Sequence, residues 1–274
     1  MPIAITDTHR ELEQVARAFL EKVGARADAR ALLDAPEEGL PPFWDDLVAL
    51  GWLGLHLPES EGGSGYGLPE LVVVLQELGR ALAPGPFLPT VLASAVISHT
   101  GTEAQRSTLL SGLADGSRTA ALGLAGDVTL AKGVANGDGG VVLGAGLAGT
   151  FLLIAGDDVI AVDRAADGCS VTIGGNLDPT RRSGRVRLEN VAVPDECVLR
   201  GAASIASDLA RVLVGAEAVG GAQECVDRAA EYAKVRQQFG RPIAMFQAVK
   251  HHCANMLVSS ELATAAVWDA ARAS

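Results

Sequence analysis

The chain has 274 residues, enough to bury a large core and to form more than one domain. Its 22 basic and 33 acidic side chains leave a net charge of −11 with no basic cluster, which argues against a nucleic-acid partner. No run of 18 apolar residues occurs, and the opening MPIAITDTHRELEQ lacks a secretory profile, so a cytoplasmic protein without a membrane span is expected.

Residues 6 to about 115 read mostly as helix. Between Thr8 and Glu21, the residues Leu12, Val15, Ala16, Phe19 and Leu20 fall on one helix face. Pro41-Pro42 opens a second helix over Phe43–Leu50, because proline is tolerated in a first turn. The glycine-dense stretch from Leu55 to Gly67 has no lysine and no phosphate-loop spacing, so it reads as a turn between helices. Leu68–Leu82 is a strong helix that ends at Ala83-Pro-Gly-Pro86. From about 118 to 200 the pattern becomes short β-rich runs separated by Gly and Asp turns. These runs are Thr119–Leu124, Gly140–Leu143, Phe151–Ala155, Val159–Val162, Ser170–Ile173 and Arg185–Leu188. Arg181 and Arg182 suit an anionic group or, more simply, a solvated strand edge.

The last third returns to helix. Val212, Ala216, Val219, Val226, Ala230 and Ala233 recur at three and four, with one wider step across Gly220-Gly221. Glycine in mid-helix costs about 1 kcal/mol against alanine, so another backbone is expected close by. Phe239-Gly240 followed by Pro242 is a stop signal, which puts Arg236, Gln237 and Gln238 in the last helical turn beside a sharp corner. A new helix follows, with Phe246, Val249, Cys253, Met256, Leu257 and Ser260 on one face. A fixed arginine fork suits a phosphate or carboxylate, or else Arg236 balances the negative helix end. Asp208, Glu217, Glu224 and Glu261 read as helix-surface charges. The four cysteines form no C-x-x-C, and adjacent helical residues such as His251, His252 and Cys253 point about 100° apart, so no metal site is expected.

The run RQQFGRPI, Arg236 to Ile243, followed by Phe246-Gln247, closely resembles the RxxFGxPI…Q signature of flavin-dependent acyl-CoA dehydrogenases. The turn LPESEGGSGYG and the block from Asp178 to Pro194, ending in VAVP, resemble the same family, and GRALAPGPFLPTVLAS resembles its steroid side-chain branch. The resemblance implies an α+β fold: an N-terminal helical domain (1–117), a central small β-barrel or sheet domain (118–202), and the first helices of a C-terminal bundle (203–274). It implies FAD as cofactor, with Arg236 reaching across a subunit interface to the pyrophosphate. Gln238, Phe239 and Gln247 would be further contacts, and Ile243 and Phe246 belong to the same motif.

Two departures from the family pattern stand out. Where active members carry a TEP-x-x-GSD-like segment against flavin and thioester, this chain reads Leu122-Gly-Leu-Ala-Gly-Asp-Val128. The stretch expected to carry an aromatic-hydroxyl strand runs straight on from Val141 to Phe151. The family's catalytic glutamate lies either before an arginine early in the long helix, where this chain has Ala210 before Arg211, or far downstream of Ser274. No catalytic residue is therefore assigned here. Three readings stay open. The chain is a subunit of a heteromeric (α2β2) acyl-CoA dehydrogenase beside a homologous subunit, a homomeric enzyme with its base in a missing tail, or a non-catalytic scaffold. By implication of the family, an acyl-CoA would be the substrate and an electron-transferring flavoprotein the electron acceptor. A partner or a tail would have to complete the helical bundle.

Overall fold

The structure is a computed structural model that describes residues 5–273. The sequence readings that touch Met1–Ala4 and the chain end at Ser274 lie outside these residues. In chain order come α1 (Asp7–Val23), α2 (Ala25–Leu32), α3 (Trp44–Ala49), α4 (Leu68–Ala81), α5 (Phe87–Thr100) and α6 (Glu103–Leu109). The strands β1 (Ala120–Gly123), β2 (Thr129–Ala131), β3 (Val134–Val142), β4 (Thr150–Ala155), β5 (Asp158–Asp163), β6 (Cys169–Ile173), β7 (Gly184–Ala192) and β8 (Val198–Leu199) follow. The chain then runs through α7 (Ala203–Val235), β9 (Gln237–Gln238), β10 (Arg241–Pro242) and α8 (Gln247–Ala273). It divides into two compact units: Met1–Lys22 with Leu68–Ala83 and Val212–Ser274, and Val23–Gly67 with Pro84–Arg211.

The first unit is helical. Leu71, Val72, Val74 and Leu75 of α4 are completely buried, which is the environment an almost uniformly apolar helix requires. Each such side chain contributes about 1.5–3 kcal/mol relative to exposure. The close backbone approach expected at Gly220 is present. A Cβ on Gly220 would meet the Gln76 carbonyl at 1.9 Å, and one on Gly79 would meet the Glu217 carbonyl at 2.0 Å. Only glycine fits at this α4–α7 crossing. The expected α7 face holds at Val212, Ala216, Val219 and Ala233, which are buried, while Val226 and Ala230 are only half-buried. Buried Glu77 is held by two hydrogen bonds of 2.9 Å from Arg17. A buried carboxylate needs such a partner to avoid a several-kcal/mol desolvation penalty. His9 lies between Glu70, at 3.0 Å, and the edge of Trp268, tying α1 to α4 and α8.

The second unit carries the sheets. One has the order β1-β4-β5-β8, with β1 and β4 parallel; the other has the order β2-β3-β7-β6 and is antiparallel. Phe151, Leu153, Ile160, Val186 and Leu188 share one buried core. These are open sheets rather than a closed barrel, which settles the alternative the sequence left between the two. Sequence patterning finds six of the strand runs but misses β2, the short β8 and the start of β3. There the VANGDGG segment has poor strand propensity and is held by pairing with β7. The buried polar residues of α5 are satisfied. Thr90 accepts the Ala120 N–H at 3.3 Å, and Ser94 hydrogen-bonds the His56 ring at 3.1 Å. Complete burial pulls His56 down to about 3, so it stays neutral. The glycine-rich loop closes on its own backbone, with Ser64 N–H to Gly54 and Gly65 N–H to Leu57.

Candidate functional site

The helix that leads into the corner stops three residues earlier than its sequence implies. α7 ends at Val235, and Arg236 to Gln238 do not form its last turn. Gln238 pairs with Arg241 and Gln237 with Pro242, and the Ile243 N–H donates to the Arg236 carbonyl at 2.8 Å. The chain turns in a tight hairpin because Phe239 (φ 52) and Gly240 (φ 74) both adopt left-handed conformations. Two consecutive positive φ values make the type I′ turn that suits the twist of paired strands. Glycine takes this conformation freely, whereas a side chain there costs about 1–2 kcal/mol. The stop signal at Phe239-Gly240 is therefore real, but it makes a hairpin and not a helix cap.

This elbow gathers Arg236, Gln238, Phe239, Ile243, Phe246 and Gln247. The ladder puts Arg236, Gln238, Arg241 and Ile243 on one face of the ribbon, since opposed residues share a face and every second residue returns to it. Phe239, 91% exposed, meets the edge of Phe246 at 6.0 Å between ring centres. Gln238 donates from its side chain to the Gln237 carbonyl, and Gln247 opens α8. Among the described residues, no carboxylate or carbonyl accepts a hydrogen bond from the Arg236 guanidinium. Arg241 escapes sequence reasoning: its guanidinium lies 4.4 Å over the Phe246 ring. Its place inside the RQQFGRPI run was the available signal.

Asp208 and Glu224 among the other charged candidates are engaged elsewhere. Asp208 pairs with Arg211, and Glu224 pairs with Arg80 and Arg228. Ala210 is 3% exposed and offers no proton acceptor. Arg181 and Arg182 meet no solvated strand edge. Arg181 donates to the Gly85 carbonyl, and Arg182 donates to the carbonyls of Ala35 and Pro36 while its backbone N–H reaches Glu38. Burial raises the Glu38 carboxyl above its ordinary range despite these arginines. The segment around Ala125–Asp127 runs close against β3. Asp127 N–H donates to the Asp138 carbonyl at 2.8 Å, and Cβ atoms on Gly126 or Gly140 would strike backbone oxygens at 2.3 and 1.7 Å. Among the described residues, no group of three metal-ligating side chains forms and no helix is long and apolar enough to cross a membrane.

Comparison with known proteins matches residues 6–117 to the N-terminal domain of acyl-CoA dehydrogenases and residues 201–274 to their C-terminal domain. The chain is 36% identical to the acyl-CoA dehydrogenase IpdE2 of Mycobacterium tuberculosis, covering 96% of this chain and 75% of that one. It is 35% identical to the acyl-CoA dehydrogenase FadE34 of the same organism over its whole length, and spans 38% of that longer protein. Among solved structures, the ChsE4–ChsE5 complex from Mycobacterium tuberculosis superposes with a TM-score of 0.90 at 26% identity, covering 99% of this chain and 80% of that one. The Tcur3481–Tcur3483 steroid ACAD superposes with a TM-score of 0.86 at 29% identity, over 96% and 77% of the two chains. With the helical, sheet and helical segments in the same order, this chain belongs to the acyl-CoA dehydrogenase family.

Proposed function

We propose that this chain is one subunit of a heteromeric acyl-CoA dehydrogenase, in an α2β2 assembly with a homologous subunit, and that it grips FAD across their interface without supplying the catalytic base. Members of the family bind FAD. The observation that carries the reading is the elbow: an arginine with no hydrogen-bond or ion-pair partner among the described residues, on a hairpin whose strained apex holds an aromatic ring outward. A protein does not ordinarily hold an exposed aromatic in a disfavoured conformation unless something outside the chain uses it. The donor set fits the cofactor. Arg236 offers a planar fork to a diphosphate, Gln238 offers amide donors, and Phe239, Ile243 and Phe246 offer apolar surface. Gln247 stands at the start of α8, where the helix dipole favours negative charge.

Bound FAD would supply a hydride acceptor for the β-carbon of an acyl-CoA, and a protein base would be needed to remove the α-proton. Ala210, which is buried, stands at one of the two positions where the family resemblance would put that base, and in this reading the partner subunit supplies it. The segment beside β3 has neither the Thr-Glu-Pro nor the Gly-Ser-Asp that the family resemblance leads one to expect, which fits a contributing subunit. The names of the solved relatives support a steroid-type acyl group and a two-protein assembly. An electron-transferring flavoprotein as acceptor and a cytoplasmic setting complete the proposal.

The test is co-expression with the homologous subunit, followed by native mass and flavin content. Arg236→Ala is expected to leave the complex assembled and to strip most of its FAD. If the chain purified alone binds stoichiometric FAD and oxidises an acyl-CoA, the proposal is wrong.

A further inference from the structure

We infer that Arg241 is a second arm of the same site, holding the diphosphate of the dinucleotide together with Arg236; this rests on the reading that the elbow grips FAD. Three observations carry it. The guanidinium carbon of Arg241 lies 4.4 Å over the Phe246 ring, a cation–π contact that uses none of its N–H groups as hydrogen-bond donors to a carboxylate or carbonyl. A contact of this kind restrains an arginine and reduces the entropy lost when it binds an anion. Among the described residues, nothing accepts a hydrogen bond from those N–H groups. Several other arginines in the chain do have carboxylate or carbonyl acceptors, including Arg17, Arg80, Arg106, Arg182 and Arg200.

The third observation is register. Gln238 opposes Arg241, and the Ile243 N–H to Arg236 carbonyl bond continues the ladder by two positions. Arg236 and Arg241 are therefore diagonal neighbours on one ribbon face. In a regular ladder that spacing is about 7–8 Å, short enough for two long side chains to converge on adjacent phosphates. Phe239 contributes indirectly. It packs roughly perpendicular to the same Phe246 ring that Arg241 contacts, so the strained turn and the arginine share one support.

The experiment measures equilibrium binding of FAD, and separately of ADP, to the co-expressed complex across a range of salt concentrations. Arg241→Gln is expected to weaken both by about 10- to 100-fold, the effect of losing a hydrogen bond to a charged group. It is also expected to flatten the salt dependence of binding. Arg241→Lys keeps the charge and is expected to recover most of the affinity and the original salt slope. An Arg241→Gln complex with unchanged affinity and salt slope overturns the inference. So do Gln and Lys variants that weaken binding equally with the salt slope intact, because Arg241 would then only prop Phe246. Arg236→Ala separates the two levels. If it too leaves FAD binding unchanged, the elbow reading itself fails; if it alone weakens binding, only the role of Arg241 falls.

Discussion

Two pairs of arginines make the most useful comparison in this molecule. Arg181 and Arg182 are adjacent in sequence and looked as suited to an anion as Arg236 did. Their donors go to the backbone carbonyls of Gly85, Ala35 and Pro36, where they staple one loop to another. Arg236 and Arg241 sit five residues apart on a hairpin and leave their donors outward. Residue type is the same in both places. The difference is whether the local fold brings unsatisfied carbonyl oxygens within reach. A buried carbonyl claims any available donor, because leaving it unpaired costs about 1–3 kcal/mol. A two-residue hairpin pairs its own carbonyls and leaves the side chains free.

That contrast can be tested from either side. The largest effect on stability is expected at the staple: Arg182→Ala should lower unfolding free energy by about 1–3 kcal/mol in a urea titration. A change below 0.5 kcal/mol would erase the distinction between the pairs. Glu38, beside Arg182, should make the staple pH-dependent. Burial raises its carboxyl pKa, so the folded chain keeps this proton to higher pH than the unfolded chain does. Its contribution to stability is therefore lost as pH rises from the ordinary carboxylate range through the raised folded value. Glu38→Gln cannot ionise, and denaturant midpoints from pH ~4.5 to 7 should slope less for that variant.

Smaller effects are expected at the elbow, and with a different sign. Phe239→Asn relieves a left-handed phenylalanine and should stabilise the chain by about 0.5–1 kcal/mol while loosening its hold on flavin. A variant less stable than the parent would mean that the Phe246 contact outweighs the strain. Arg236→Ala should change chain stability least, within about 0.5 kcal/mol by thermal melt. Loss of flavin without loss of stability at Arg236, against loss of stability at Arg182, is the contrast to look for.

Much of this was legible in the residues. The α7 face, the close approach at Gly220 and the β-rich middle follow from spacing, because periodicity and glycine report directly on what a backbone must do. The family followed from the run Arg236 to Gln247, with three further stretches in support. The hairpin was missed because Phe239 is an unfavourable I′ residue, and only the surrounding turn holds it there. The fate of Arg181 and Arg182 could not be read, since their acceptors at Gly85, Ala35 and Pro36 lie about 96 to 147 positions away along the chain. β3 was read late because its glycines weaken local propensity and the partner strand β7 makes up the difference.

The glycine crossing of α4 and α7 acts as a fulcrum. From Gly220 to the end of the helix at Val235 is roughly 22 Å of rigid rod. A pivot of ~5° at the crossing would swing the far tip by about 2 Å, enough to spoil an aligned pair of ionic contacts. Aim at the tip is thus set four turns upstream, by two residues that have no side chain at all.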